Sequence, residues 1–478
     1  MTAVEYETTI GLEIHVQLQT RTKMFCSCAL GFGEEPNTRT CPVCLALPGA
    51  LPVANAEAIH FGLMIGLALE CTLNDRSVFD RKQYFYPDSP KGYQISQNEE
   101  PLCSGGELGG VRVHRAHLEE DAAKTIHSGG GGGRILSSAA SVVDFNRGGT
   151  PLCEIVTEPD IHSPEQAGEF LRLLRTTMRR IGVSDVNMEE GSLRCDANIS
   201  IRPTGRAELG VKTELKNMNS FRFIERGIRA EVARQEELLR AGEPVVQETL
   251  HFDPRTERLT SMRSKEEAHD YRYFPEPDLT PVTITAEMLE RARAAMPELP
   301  AARAQRFERE LGLHPDTAKL LAWRAELGDY YEEALREGAC EPVPLANWTT
   351  NELVQRLGAD VDPAGSNVRP AALGVLVTLV TQKKITAGAA KTVLDKLVAE
   401  GGDPTAIVET ENLAAMGGTE ELAPVVAAAL AAQPAIAERI RNGDPKPMGA
   451  IIGAVMKETK GRADGKEVTR LVREQLGL

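Results

Sequence analysis

"IGLEIHVQL", residues 10–18, alternates apolar and polar side chains without a break. The period of two predicts a strand. Ile10, Leu12, Ile14, Val16 and Leu18 fall on one face, and Gly11, Glu13, His15 and Gln17 on the other. The apolar face explains itself as core. The second face sets a carboxylate and an imidazole about 6.6 Å apart along the strand, from which two side chains can converge on one ion. Carboxylate with imidazole suits a hard or borderline divalent cation. A solvated strand face would carry the same two residues.

Other segments repeat this chemistry. "HRAHLEEDAAK" (114–124) offers Glu119, Glu120 and Asp121 together. "GTPLCEIVTEPD" (149–160) puts Glu154 inside an apolar run, where a carboxylate needs a cation beside it. "RCDANISIRP" adds Asp196 and Asn198, two apart, and "KTELKNMNSF" adds Lys212, Glu214 and Lys216 with the same alternation. Lysines facing carboxylates across strands are what a Mg²⁺–phosphate site requires. Each segment alone reads as surface ion pairing, and it is their number that argues for a site.

"CSCALGFGEEPNTRTCPVC" has a second kind of spacing. Cys26 and Cys28 are followed, after twelve residues, by Cys41 and Cys44. Two close cysteine pairs joined by a short loop build a structural zinc knuckle, in which four thiolates leave no position open for catalysis. A redox C-x-x-C pair or reduced thiols are the competing readings.

The chain has 478 residues, enough for two to four domains, and is 42% hydrophobic with a net charge of −15. Such a charge argues against coating nucleic acid through bulk positive charge. Between Arg439 and Arg473, however, nine Lys and Arg face four Asp and Glu. No apolar run approaches a membrane span, and no signal peptide is visible, so a cytoplasmic protein with reduced cysteines is expected.

Residues 1 to about 295 are Gly-rich, with short alternating runs separated by turn signals such as "YPDSPKG" and "NRGGTP". Helices are predicted over 163–182, capped by Ser163 with Pro164 in the first turn and Gly182 at the exit, and over 220–242, from Ser220 to Gly242. Strands interleaved with a few helices, without regular βαβ spacing, predict an α+β class. From about Ala286 the pattern turns helical, with a break at "GGDP" (401–404). The glycine run in "HSGGGGGR" (127–134) reads as a flexible hairpin tip. "YFYPDSPKGYQISQ" (84–97) reads as an ordered loop, and "RSKEEAHDYRYFPEPDL" (263–279) has the same aromatic and charged make-up.

Taken in order, "IGLEIHVQL", "CPVC", "YFYPDSPKGYQISQ", "HLEEDAAK", "DFNRGGTPLCEIVTEPD", "KTELKNMNSF" and "HDYRYFPEPDL" resemble the B subunits of the bacterial tRNA-dependent amidotransferases, the GatB family. The tail "NGDPKPMGAIIGAVMKETKGRADGKEVTRLV" resembles the YqeY-like module that ends that family. The resemblance runs from Thr9 to the C-terminus. It implies a β-rich, cradle-like catalytic domain over 1–294 containing the zinc knuckle 26–44. An all-α helical domain would follow over 295–406, and a small helical YqeY-like tail over 407–478 that binds tRNA.

The implied activity is correction of misacylated tRNA. ATP phosphorylates the side-chain carboxylate of Glu-tRNA(Gln) or Asp-tRNA(Asn), and ammonia then displaces phosphate to leave the amide. The resemblance assigns Mg²⁺ to Glu13, His15, Glu120 and Glu154, with Glu120 preferred to its neighbour Glu119. Charge, not resemblance, assigns Lys212 and Lys216 to the phosphates, with Arg147 behind them; Lys124, Asp196 and Asn198 are the further cofactor-binding candidates. The family includes members with and without the cysteine cluster. With Cys26, Cys28, Cys41 and Cys44 all present, a structural Zn²⁺ is expected. No amidase signature is found, so ammonia must come from a partner: the family's amidase A subunit, with the small C subunit, in a heterotrimer. Segment 84–97, with Lys82, Asp88 and Lys91, is a candidate ammonia-guiding wall, the alternative being a simple interface loop. Arg441, Lys446, Lys457, Lys460, Arg462 and Lys466 are candidate contacts to tRNA phosphates, although charge alone would favour a solvated helical face. Two competing readings are a zinc-stabilised tRNA-binding scaffold without chemistry of its own and a stand-alone metallohydrolase.

Overall fold

In a computed structural model of the chain, the residues described are 4–128, 139–264, 271–338, 340–358, 361–416, 419–442, 446–459 and 461–478. The run Gly129–Arg134, residues 265–270 and Lys460 therefore lie outside the described residues. The chain divides into two units, Met1–Leu299 and Pro300–Leu478.

The first unit is organised by strands β1 (Tyr6–Gln17), β2 (Asp80–Gln83), β3 (Tyr93–Ser96), β4 (Val111–Glu120), β5 (Lys124–Ser128), β6 (Ala140–Asp144), β7 (Pro151–Thr157), β8 (Leu193–Pro203), β9 (Thr213–Met218), β10 (Glu248–Asp253) and β11 (Arg258–Ser264). Its helices include α1 (Ala56–Ala68), α2 (Pro164–Arg180) and α3 (Phe221–Ala241). The large sheet runs β11-β10-β9-β8-β1-β7-β4 and then through the short strands Cys103–Ser104 and Thr72–Leu73. The opening stretch is thus a central strand, paired antiparallel on both sides. Neighbours are antiparallel throughout except β9 and β10, which are parallel and joined by α3, because a parallel pair needs a crossover. The expected α+β class holds, with a β-rich first part and a helical remainder.

Register fixes what each face carries. Ile10, Leu12, Ile14 and Val16 are buried to 0–1% exposure. They stand opposite Ile199, Ala197, Cys195 and Leu193 of β8, and Ile14 and Val16 opposite Ile155 and Cys153 of β7. A one-residue slip would carry every one of these side chains to the polar face. Helices α2 and α3 form where their end signals predict. Ser163 Oγ accepts from Gln166 N (3.1 Å), Ser220 Oγ from Phe223 N (3.2 Å), and Gly242 closes α3 at φ +78°. The buried side of α3 carries Glu231 and Gln235. Gln235 Nε2 donates to Ile199 O (3.1 Å), and its Oε1 accepts from Ile201 N (3.2 Å). The amide thereby stands in for a neighbouring strand where β8 outruns β9.

The second unit is helical and has two cores. One gathers residues from Phe307 to Leu413. In it the helices Ala325–Gly338 and Pro370–Thr381 approach so closely that a Cβ on Gly374 would lie 2.6 Å from Gly338 Cα. The other core gathers residues from Leu422 to Leu476. The expected border at 406/407 lies within the helix Pro404–Thr410, whose Val408, with Leu413, packs into the first core. Among the described residues the second core takes up from Leu422. Composition marked the "GGDP" break but not the apolar residues that hold the next helix to the earlier core.

Candidate active site

Across the polar face of the sheet, register lines up the acidic and basic side chains of five strands. His15 stands opposite Glu154, Glu154 opposite His117, Glu13 opposite Asp196, and Asn198 opposite Glu214. Directly opposed residues share a face, and Glu119 follows His117 by two. The row runs Lys216 and Glu214, Asp196, Glu13 and His15, Glu154, then His117 and Glu119.

Its centre is the His15 imidazole. Nε2 lies 3.3 Å from Glu154, 3.4 Å from Glu119 and 3.9 Å from Glu13. His117 Nε2 lies 3.7 Å from Glu154 and 3.9 Å from Glu119. Burial opposes a charge on His15, but Glu119 and Glu154 outweigh it and raise its pKa to about 10. Burial likewise opposes the charge on Glu154, yet His117 and His15 hold it below the usual carboxylate range. Glu13 is pushed up, by burial and then by Glu154, and burial pushes His117 down. His117 Nδ1 is buried and has no hydrogen-bond partner.

Cations flank this acidic centre. Lys216 Nζ bonds Asp196 (2.7 Å) and Glu214 (3.0 Å), which keep it protonated against burial. From β2, outside the large sheet, Lys82 lies over the Tyr271 ring (4.8 Å). Burial disfavours its charge, and Glu119, Tyr273 and Glu154 outweigh that. Asp121 accepts from Gln17 (2.9 Å) and Arg194 (2.8 Å). A cleft with about 800 Å³ of empty space opens over His15 and Glu119, walled by Lys82, Tyr84, Lys91 and Arg194.

The donor set can be tested for a cation. One ligand atom each from Glu13, His15 and Glu154 lie within 4.8 Å of one another, and the same holds for His117, Glu119 and Glu154. Ligands about 2.1 Å from an octahedral Mg²⁺ span up to about 4.2 Å, close to the 4.8 Å within which each of these groups falls. Carboxylate oxygens suit that ion. The sulfurs of Cys26, Cys28, Cys41 and Cys44 also all lie within 4.8 Å of one another, with Cys41 and Cys44 3.8 Å apart. A tetrahedron of Zn–S bonds of about 2.3 Å has edges of about 3.8 Å. The Cys26 thiol donates to Cys44, drawing the Cys44 pKa down to about 4 and pushing that of Cys26 up. Both sets fit the expected ions.

The expected residues do not all meet. Glu13, His15 and Glu154 converge, and Asp196, Asn198 and Lys216 continue the same row. Glu120 does not join them. It stands opposite Pro151, in phase with Leu118 and Ala116, and its carboxylate pairs with Lys91 and accepts from Ile95 N (3.0 Å). Glu119, not Glu120, lies beside His15 (3.4 Å). Lys212 is exposed and precedes β9, and Lys124 is exposed at the start of β5, opposite Asp144. Arg147 turns to the carbonyls of Ala122 (3.0 Å) and Ala123 (2.9 Å), with Asp121 at 3.6 Å. His117 was missed, although the alternation His117, Glu119, Asp121 was there to be read. The role of Lys82 beside the carboxylates had no local signal.

Comparison with known proteins agrees with this architecture. Residues 8–290 match the family described as the GatB/GatE catalytic domain, and residues 329–476 the GatB domain. A protein of Carboxydothermus hydrogenoformans, named as the B subunit of an aspartyl/glutamyl-tRNA(Asn/Gln) amidotransferase, is 46% identical over 99% of both chains. Proteins of the same name from Persephonella marina (45%, covering 99% of this chain and 100% of the relative) and Frankia casuarinae (47%, 99% and 96%) are similar. Among the described residues no helix is long and apolar enough to cross a membrane. The chain belongs to the GatB family, the catalytic B subunits of the tRNA-dependent amidotransferases, which are carbon–nitrogen ligases acting within a complex.

Proposed function

We propose that this protein phosphorylates the side-chain carboxylate of Glu on tRNA(Gln), of Asp on tRNA(Asn), or of both, and then delivers ammonia to the acyl phosphate to give Gln-tRNA(Gln) or Asn-tRNA(Asn). The observation that carries this is the convergence of three carboxylates and two imidazoles on one sheet face, flanked by lysines, at the floor of a cleft.

A carboxylate is a poor electrophile, because its charge repels the nucleophile. Its oxygen attacks the γ-phosphorus, ADP leaves, and the acyl phosphate then carries a good leaving group. Ammonia attacks the acyl carbon and phosphate departs. Catalysis of such transfers is mostly positioning and charge neutralisation. Glu13, His15, Glu119 and Glu154 would hold Mg²⁺, with His117 behind them, and the bound ion would neutralise phosphate oxygens. Lys82 and Lys216 supply the remaining positive charge, while Asp196 and Glu214 hold Lys216 in place. Arg194, bonded to Asp121, would form the nucleotide-side wall of the cleft, with Arg147 behind Asp121. Cys26, Cys28, Cys41 and Cys44 would hold a structural Zn²⁺ that takes no part in the chemistry.

Ammonia would come from the amidase A subunit, steadied by the small C subunit in a heterotrimer. Lys82, Asp88 and Lys91 line its final approach. The tail, over 407–478 and with its core from Leu422 onward, would contact tRNA phosphates through Arg441, Lys457, Arg462 and Lys466. The test is reconstitution with the A and C subunits, following ATP-dependent conversion of Glu-tRNA(Gln) and Asp-tRNA(Asn). Wild type should convert at least one, and His15→Ala should lose conversion while glutamine hydrolysis continues. Conversion unchanged in His15→Ala would refute the site.

A further inference from the structure

The loop between the two cysteine pairs is docked on the root of the β5–β6 hairpin. Asn37 adopts a left-handed backbone (φ +61°), which asparagine tolerates better than most residues. Its N–H donates to Asp144 (3.0 Å), its Nδ2 to Val143 O (3.2 Å), and its Oδ1 accepts from Phe145 N (2.8 Å). Asn146 answers in the other direction. Its Nδ2 donates to Glu35 O (2.8 Å), and its Oδ1 accepts from Arg39 N (2.8 Å). A second tie runs from beneath the thiols. Lys23 is 0% exposed and donates to Phe145 O (3.0 Å).

The hairpin root leads straight into the cleft. Gly148 and Gly149 line it with Asp121, and Gly149 N donates to Asp121 O (2.8 Å). Met24, two residues before Cys26, donates from its N to Gly149 O (2.7 Å). Cysteine loop, hairpin root and cleft wall are therefore one hydrogen-bonded chain. A loop of twelve residues keeps Asn37 in place only if its ends are pinned, since otherwise loop entropy competes with each hydrogen bond.

We propose that Asn37 is a positioning residue, which transmits the metal-held shape of the cysteine loop to the hairpin root and so sets the cleft wall of Gly148, Gly149 and Asp121. The inference rests on reading the four cysteines as a metal site and the cleft as the site of phosphoryl transfer. It gives the structural ion a consequence for turnover without a place in the chemistry.

The variant Asn37→Gly keeps the left-handed backbone and removes the side-chain bonds. In the reconstituted complex it should keep a full complement of zinc. Hydrogen exchange at the Phe145 amide should speed up at least tenfold, and kcat for ATP-dependent amidation should fall about five- to tenfold with the partner's glutaminase unchanged. Chelation of wild type should speed the same amide, and chelation of Asn37→Gly should add less than twofold more. Wild-type exchange and kcat in Asn37→Gly would overturn the proposal, as would a chelation effect equally large in the variant. A wild type lacking turnover would count against the reading of the cleft instead, and the exchange measurements would still decide the role of Asn37.

Discussion

The neighbouring acids Glu119 and Glu120 give the sharpest test of the site, because they are chemically alike and both line the cleft, but Glu119 lies against His15 while Glu120 pairs with Lys91. Replacing Glu119 with Gln keeps its shape and its bond from Ser96 (3.1 Å), but removes a charge 3.4 Å from His15 Nε2. Even outer-shell partners of metal ligands carry about 10–100-fold in affinity, so a carboxylate at the ion should account for the upper end or more. The Mg²⁺ concentration giving half-maximal tRNA-dependent ATP cleavage should therefore rise at least about a hundredfold, or ~2.7 kcal/mol at 1.36 per decade. Glu120→Gln keeps an acceptor for Ile95 N and loses the charge opposite Lys91, whose side chain is 14% exposed. Breaking a buried pair costs about 3–5 kcal/mol, less here because Lys91 reaches the cleft. About 2 kcal/mol of stability should be lost in a denaturant midpoint, with the Mg²⁺ dependence within twofold of wild type. The reverse pattern, a large Mg²⁺ shift in Glu120→Gln and none in Glu119→Gln, would refute the assignment of the two acids.

Further expectations follow from packing. Gly374→Ala forces a methyl against the Gly338 backbone and should cost about 1–3 kcal/mol; thermal unfolding of the variant within 1 °C of wild type would contradict that helix crossing. Gln235→Leu strands Ile201 N in the interior and leaves Ile199 O only the long bond from Thr213 Oγ1 (3.4 Å), at about 1–3 kcal/mol for the unpaired group. Its urea midpoint should fall with unchanged slope, and an unchanged midpoint would count against the amide's role as a surrogate strand. Removing residues 417–478 should raise KM for charged tRNA and flatten its salt dependence, by about 0.7–0.9 in log–log slope per lost phosphate contact, while glutamine hydrolysis by the partner is spared. Truncation at 407 should in addition destabilise the first helical core, since Val408 and Leu413 go with it, and equal stability of the two truncations would place the border elsewhere.

Much of this protein is written locally. The alternation in "IGLEIHVQL" separates core from site, since a strand sends successive side chains to opposite faces whatever its neighbours do. Ser163, Ser220, Gly182 and Gly242 mark helix ends, because caps satisfy backbone groups within a few residues. The cysteine spacing announces its cluster for the same reason: all four ligands lie within nineteen residues. The phase of Glu119 was also legible, through His117 two residues earlier, but two adjacent carboxylates invite a choice by resemblance over parity.

Other features belong to the tertiary structure alone. Lys82 approaches the carboxylates from a different sheet, and Lys212 lies exposed one residue before β9 begins. Asn37 meets Phe145 across 108 positions of chain. Such contacts depend on which strands pair and which loops dock, and that is decided by the burial of apolar faces far apart in sequence. Residue chemistry therefore determined that this chain could carry an acidic, cation-binding sheet face and a thiol cluster. Pairing and register decided which acids share the site.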